Sequence, residues 1–581
     1  MHRLAFIFPA SFHKMLKMKG GTGMRCFVLI TTFLLILSLN ITESNYIADG
    51  NILYVGGSGE GNYSSITDAV FAAEDGDTIF VYNGTYEESV YISKRIILIG
   101  ENAENTIIEA GIYGFGINVS CDGVTIKNFG IKNASWDKAG IILYKCNDCT
   151  IQNCRIYGND GNAIELKNAN GNAIKNCKIY ENMAGIELRE SNQNEILDCE
   201  IYKNGVAVEV GAGSKNVLHK CIISNNSWSG IAITGAMHNK IYDCSFDGNG
   251  IMISGSTLED FIQDISNNSI DGKPIVYIKN ESFVLNGTYG EIIAVGCNSF
   301  NIKNCRIIGR DVAIEIAYCS NGVIKNCSIH GYYGLLAYNS TGNIIEGNEI
   351  VGSNESGIEL RGCNGNVIRK NRITGVFGNA ISLTSSCNNS ICKNDVSQNG
   401  MGILVFSYSC HNNISCNHVY DNQFYGISIQ GGSYNTVEGN HIHGNKMWCG
   451  IAIAKSWTKY NVIRKNNISD NKCGVHLEGI GNLIERNDIC RNEYGIYLSA
   501  WLSKCKRNVI TKNNFIENER DASFEVDVFS LNKWNGNYWE GWNMAAPKPI
   551  YGYAVIEFGR FGIRLPWINF DWHPALHPYK N

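Results

Sequence analysis

Proline is nearly absent from this chain: 7 of 581 residues, about 1% where about 5% is usual. A long apolar run is missing too. The one extended stretch, 27–39 (FVLITTFLLILSL), has thirteen residues, short of the about 20 a membrane-spanning helix needs. There is no excess of positive charge, since 49 Lys+Arg against 54 Asp+Glu leave −5. That balance argues against a nucleic-acid partner, because phosphate binding usually leaves a basic footprint. With 44% hydrophobic and 18% charged residues the composition is that of a folded chain. Cysteine numbers 22, about 4% and well under the roughly 8–10% of a disulfide scaffold. What is abundant is asparagine, at 72 residues.

The apolar stretch follows Lys14, Lys17, Lys19 and Arg25 and precedes polar NITESN. That is the layout of an export signal. Residues 1–45 read as a signal peptide, or as a membrane anchor if uncleaved, with Met24 a second candidate start. The remainder is expected outside the cytoplasm: secreted, periplasmic or at the cell surface. Sequons such as Asn83, Asn133, Asn286 and Asn467 are compatible with glycosylation there.

From 115 to 530 one pattern recurs: Gly-Ile-x-Leu, a turn, Asn-x-Ile-x-x-(Cys or Asn)-x-Ile, another turn. The Gly-Ile step falls at Ile141, Ile164, Ile186, Val206, Ile231 and Ile251, and resumes from Ile314 to Ile496, at intervals of 20 to 25 residues. Alternation over three to five residues is strand periodicity, and Gly, Asn and Ser punctuate it as turns. Such a period without a helical pattern predicts a solenoid of parallel strands. Leucine-rich repeats share the period but not this spacing, and Asn and Gly at this density would melt helical repeats. The missing proline fits, because each strand is paired on both sides and every N–H must donate.

One interior column carries the most information. It is Cys at 154, 177, 199, 221, 244, 305 and 327 (Cys154, Cys177, Cys199, Cys221, Cys244, Cys305, Cys327). It then becomes Asn at Asn348, Asn371, Asn394, Asn417, Asn440, Asn466, Asn487 and Asn513. Parallel coils stack about 4.8 Å apart, so like side chains form a ladder. Asn amides would bond from coil to coil, and Cys would pack as a small apolar residue. A second set is Cys146, Cys319, Cys363, Cys387, Cys410 and Cys505. Most thiols are expected free, although stacked cysteines in an exported protein could form some bridges.

The predicted fold is all-β: a single-stranded right-handed parallel β-helix of roughly twenty coils. Residues 46–114 make an N-terminal cap and first coils, with a capping helix from Ser65 to Glu74. Residues 258–300 break the period and are expected to form an enlarged coil with a protruding hairpin. Residues 531–581 hold five of the ten Trp and predict an aromatic C-terminal cap.

The opening GDTIFVYNGTYEESVYISKRIILIGEN, the Gly-Ile/Asn-x-Ile coils and the segment GKPIVYIKN resemble the NosD-like right-handed parallel β-helix proteins. These belong to the wider group of carbohydrate-binding proteins and sugar hydrolases with pectin-lyase-type folds. The resemblance implies an exported protein. It is read here as non-catalytic, offering a polar face to a polysaccharide or cell-surface component. The alternatives it implies are a lyase, hydrolase or epimerase on acidic glycans, or a NosD-like accessory protein of copper-site maturation. The polygalacturonase motifs and the Asp-Pro-His of alginate epimerases are absent.

Three groups of residues are candidates. Glu165 and Glu187 share a column in successive coils, joined by Glu315 and Glu359. Stacked carboxylates raise one another's pKa, but a solvated strand face is the expected role. Tyr332, Tyr333, Phe424 and Tyr425 are the candidate sugar-binding rings. His418 and His441 follow successive ladder Asn residues, with His443 two further on, a set able to bind copper or zinc. No cofactor is required by the pattern, and copper, zinc or calcium are the metal candidates. A membrane is met only through the N-terminal segment, if uncleaved.

Overall fold

The computed structural model describes residues 50–111, 114–500, 504–558 and 561–580. The expected export segment, 1–45, lies outside the described residues. The rest is a parallel β-solenoid of about 21 turns.

Each coil carries three short strands joined by turns. Thr150–Gln152, Arg155–Tyr157 and Asn162–Lys167 make one coil, and Ala173–Lys175, Lys178–Tyr180 and Ala184–Arg189 the next. They stack in register, with Ile151 on Ile174, Ile156 on Ile179 and Ile164 on Ile186. These Ile columns are the core, fully buried. A left-handed residue precedes the ladder position in each coil, as at Asn153, Asn176 and Asp198. Asn and Asp tolerate that conformation best, which explains part of their abundance.

The ladder column is present. Asn371 donates from its backbone N and from Nδ2 to Asn394 Oδ1, both at 3.0 Å, and from Nδ2 to the Ile345 carbonyl at 2.9 Å. Cys177 holds the same place with weaker bonds, its Sγ 3.3 Å from the Lys175 carbonyl and 3.9 Å from that of Ile151. Two further Asn ladders run through other corners. One includes Asn172, Asn194 and Asn216, and resumes at Asn343 and Asn366. The other includes Asn159, Asn182 and Asn204, and resumes at Asn399 and Asn422. In the second cysteine set, Cys319, Ser340, Cys363 and Ser386 alternate as a buried chain of N–H bonds to Oγ and Sγ. Cys387 and Cys410 form a disulfide, while nineteen other described cysteines are free.

Both ends are closed. A helix, Ile66–Ala72, is capped by Ser65, whose Oγ accepts from the Asp68 N–H. It buries Ile66, Ala69 and Val70. Glu88 accepts from its first N–H groups at Ile66 and Thr67, and Lys94 Nζ bonds the carbonyls of Phe71 and Ala73 at its end. At the far end Asp571 finishes the ladder, accepting from Asn537 N and Nδ2 at 2.8 and 2.9 Å and from Trp539 Nε1 at 3.1 Å. Trp534 and Trp539 are buried there, whereas Trp567 and Trp572 are exposed. The C-terminal aromatics are thus divided between a plug and a long hairpin, Lys548–Phe558 with Phe561–Asp571.

The segment 258–300 differs from expectation. It is a junction between two stacks of coils rather than one enlarged coil with a protruding hairpin. The first stack ends at Ile251–Ser254, Asp264–Ser266 and Ser269–Ile270. A tight antiparallel turn, pairing Ile270 with Lys273, leads into Lys273–Lys279, where the second stack begins. The outer edge of Ile251–Ser254 meets no further strand among the described residues. Its N–H groups are taken by side chains instead. Glu291 Oε2 accepts from Ile251 at 3.0 Å and Glu315 Oε2 from Ile253 at 3.2 Å. Asp311 Oδ2 accepts from Ser229 Oγ at 2.6 Å and Gly230 N at 2.8 Å. Phe261 packs on Tyr338, and Tyr277 Oη bonds the Phe261 carbonyl across the same seam.

Candidate metal centre and neighbouring cleft

His418–Tyr420 and His441–His443 are parallel neighbours, with His418 beside His441 and Tyr420 beside His443. Residues two apart share a face of a strand. Val419 and Ile442 point into the core and are fully buried, so the three histidines point outward together. Their ligand nitrogens all lie within 4.8 Å of one another. His418 Nε2 and His443 Nε2 are 3.0 Å apart. Two nitrogens bound at about 2.0–2.1 Å to a tetrahedral ion stand roughly 3.3 Å apart, so the gap needs little adjustment. Three protein ligands would leave a fourth position open for water or a transferred group.

The ladder positions this centre. His418 and His441 each follow a ladder residue, and Asn417 donates to Asn440 Oδ1 from both N and Nδ2 at 2.9 Å. Backbone register is therefore held directly beneath the imidazoles. The ring of His418 stacks on His441 at 5.1 Å and on Tyr420 at 4.3 Å. Burial lowers the pKa of His441 and His443, and the neighbouring imidazoles lower both further. Neutral imidazole is the form that binds metal.

The glutamates have a different fate. Glu165 and Glu187 are register neighbours on adjacent coils. Glu187 is buried, paired with Arg189 and accepting from Asn162 Nδ2 at 2.5 Å. Glu359 is likewise buried and paired with Arg361 at 2.6 Å. Glu315 lies in the seam, 0% exposed. The expected solvated face is therefore corrected for these three: an Arg two residues on, or the end of the first stack, covers them. Glu165 remains half-buried.

Each pair of candidate rings is joined by a Trp that the sequence reading did not link to it. Tyr332 and Tyr333, in edge contact at 5.5 Å, line a groove of about 360 Å³ with Trp228, Glu209 and Asp311. Burial, then Glu187, raises the pKa of Glu209, and burial raises that of Asp311. Phe424 and Tyr425 contact Trp448 at 5.3 and 4.8 Å. Tyr425 and Trp448 are walls of a cleft of about 490 Å³, with Cys449, Cys473 and His476 also lining it. His476 Nε2 meets Ser499 Oγ at 2.8 Å, and Ser499 Oγ meets Glu478 Oε1 at 3.1 Å. Burial lowers the His476 pKa. The signal for the two cysteines was available: Cys449-Gly-Ile and Cys473-Gly-Val occupy the same place in the repeat.

This architecture defines a right-handed parallel β-helix protein. The sequence matches the family described as right handed beta helix region over residues 113–270 and 290–442, more than half of the chain, and the protein belongs to that family. Over residues 404–544, a span containing all three histidines, it also matches the family described as periplasmic copper-binding protein (NosD). Solved structures are similar to the chain at low identity. A pectin methylesterase from Aspergillus niger is 19% identical, covering 38% of this chain and 86% of its own, with a TM-score of 0.31. An alginate lyase from Paenibacillus sp. str. FPU-7 is 14% identical, covering 59% and 95%, at 0.26. The periplasmic alginate epimerase AlgG is 11% identical, covering 76% of each chain, at 0.27. No curated protein matches the sequence.

Proposed function

We propose that this is an extracytoplasmic β-helix protein that binds a transition-metal ion, copper first among the candidates, at His418, His441 and His443. The observation that carries the reading is the convergence of three outward imidazoles within 4.8 Å on a ladder-braced pair of strands. The NosD family match over the same coils supports copper and a periplasmic or equivalent setting. Imidazole donors suit copper and zinc better than calcium, which prefers oxygen. Titration of the purified protein with Cu(II) and Zn(II) tests it. The parent should take up one equivalent that a His418→Ala/His441→Ala/His443→Ala variant does not. Equal binding by both would sink the reading.

A second reading, non-catalytic binding of carbohydrate, is favoured by the groove of Trp228, Tyr332 and Tyr333, since exposed rings stack on sugar faces. Trp228 is 64% exposed. A glycan-binding screen should then show retention that Trp228→Ala abolishes. As for catalysis, Glu187 is already held by Arg189 and Asn162, which suits a structural carboxylate better than an acid or base.

A further inference from the structure

Four residues past His443 the chain turns a corner and enters the cleft at Met447. Cys449 opens the strand Cys449–Ala454 and Cys473 opens Cys473–Leu477, and the two are paired in register on adjacent coils. They differ from the ladder thiols. Cys154, Cys177, Cys199 and Cys221 are 0–1% exposed inside the core, whereas Cys449 and Cys473 are each 8% exposed and line the cleft. The two side chains are register neighbours on adjacent coils and face the same cleft. The Met447 thioether, half-exposed, stands at the rim beside Trp448. His476 is turned to Ser499, which leaves the sulfurs as a pair.

We propose that Cys449 and Cys473 form a two-thiolate site for a soft monovalent ion, Cu(I), with Met447 at its entrance. Thiolate and thioether donors select Cu(I) over harder ions. The ion arrives already reduced. Two Cu–S bonds form, two S–H bonds break, and two protons leave to solvent, so no electron is drawn from the protein. The product, a bis-thiolate with one bound Cu(I), carries one negative charge. Two cations line the same cleft to offset it: Lys472, next to Cys473, and Arg520, whose guanidinium lies 5.4 Å from the Tyr494 ring centre. The one carboxylate lining it, Glu525, is occupied by Arg564 at 2.6 Å. The inference deepens the metal-binding reading and rests on it for its biological setting. The same coils then carry an imidazole centre on one face and a thiolate centre around the corner, six residues from His443 to Cys449.

The test is anaerobic Cu(I) competition on the reduced, folded protein against a chromogenic Cu(I) chelator. Four proteins are compared: parent, the triple His→Ala variant, Cys449→Ser/Cys473→Ser, and Cys416→Ser, which removes an exposed thiol elsewhere. Far-ultraviolet dichroism and melting confirm that each is folded. The triple His variant and Cys416→Ser should each keep one tight Cu(I) equivalent, with two sulfur neighbours by X-ray absorption. Cys449→Ser/Cys473→Ser should lose it. Retention of that equivalent by the double Cys variant overturns the proposal, and so does finding the pair in the folded protein as a disulfide that reductant cannot open. Failure of the histidine reading looks different: the triple variant would bind Cu(II) as the parent does while the Cu(I) site persists.

Discussion

One interior position changes its chemistry along the solenoid, and the change falls inside the second stack, between Cys327 and Asn348. Before residue 330 the column is thiol apart from Asn268 at the end of the first stack, and the thiols are bonded weakly at 3.3 to 3.9 Å, as at Cys177. After it the column is amide, with every rung closed at about 3.0 Å, as at Asn371 and Asn394. Both are buried, so burial alone does not demand Asn. The difference is register. A thiol rung packs against whatever lies above it, whereas an amide rung must meet the next carbonyl oxygen. The histidine centre and the thiol cleft lie on the amide side, where coil-to-coil alignment is held most firmly. Preorganised donors need such a rigid support.

The largest effect is expected where the two stacks meet. Burial pushes the Glu315 carboxyl up to about 8 from 4.5, and Glu291 is driven well above its usual range, by burial and then by Asp311 and Glu315. Because the folded state holds these protons more tightly, the seam's contribution is complete below about pH 4.5 and is lost as pH rises through about 8. For Glu315 the loss is on the order of 5 kcal/mol. Glu315→Gln keeps an acceptor for the Ile253 N–H but cannot ionise. It should flatten the fall in stability between pH 5 and 8, as read by denaturant melts and by hydrogen exchange at Ile253. A variant that follows the parent's pH profile would show that the two stacks are not joined by a protonated acid.

Next in size is a break in the amide column. Asn417→Ala removes the acceptor for Asn394 N and Nδ2, and the donor to Asn440 and to the Ile391 carbonyl, all at 2.9 to 3.0 Å. Buried groups left unpaired cost about 1–3 kcal/mol each, so roughly 3 kcal/mol or more is expected. A solenoid need not unfold as one unit. The loss should therefore concentrate in amide exchange around residues 390–445, and metal affinity at His418 should fall with it. Uniform exchange over both stacks would deny the ladder its local role.

Much of this fold was legible because its determinants are local and repeated. The strand alternation, the Gly-Ile step and the Cys-to-Asn column each recur with every coil, and the histidines could be aligned by counting from Asn417 and Asn440. The seam was not legible. Glu315 sits where alternation puts a residue outward, and only a strand 62 residues earlier, at Ile253, makes that position an interior one. The cleft was half legible. Cys449 and Cys473 share a repeat position, but the walls come from coils and a C-terminal hairpin far apart in sequence, among them Tyr425, Tyr497 and Tyr553. Glu187 and Glu359 were misread for a simpler reason: Ile-Glu-Leu-Arg places an Arg beside each carboxylate, and the pair covers itself.

The smallest effect is the sharpest test of the comparison, because it exchanges the two chemistries. Where a thiol meets an amide the junction is already made: Cys244 N donates to Asn268 Oδ1 and Cys327 N to Asn348 Oδ1, both at 2.9 Å. Cys199→Asn should reproduce that contact from Cys177 N, and its Nδ2 should reach the Ile174 carbonyl that the Cys199 thiol now faces at 3.7 Å. The gain of two amide bonds offsets the stricter geometry, so the change should stay within about 1 kcal/mol of neutral. The reverse exchange, Asn417→Cys, has no such compensation. It takes the amide oxygen from Asn394 Nδ2, which keeps only its bond to the Ile368 carbonyl, and should cost nearly as much as Asn417→Ala. Thermal melts of both variants decide the matter: an asymmetric pair means that the thiol column tolerates amides while the amide column excludes thiols, and equal costs would mean that both columns are held by packing alone.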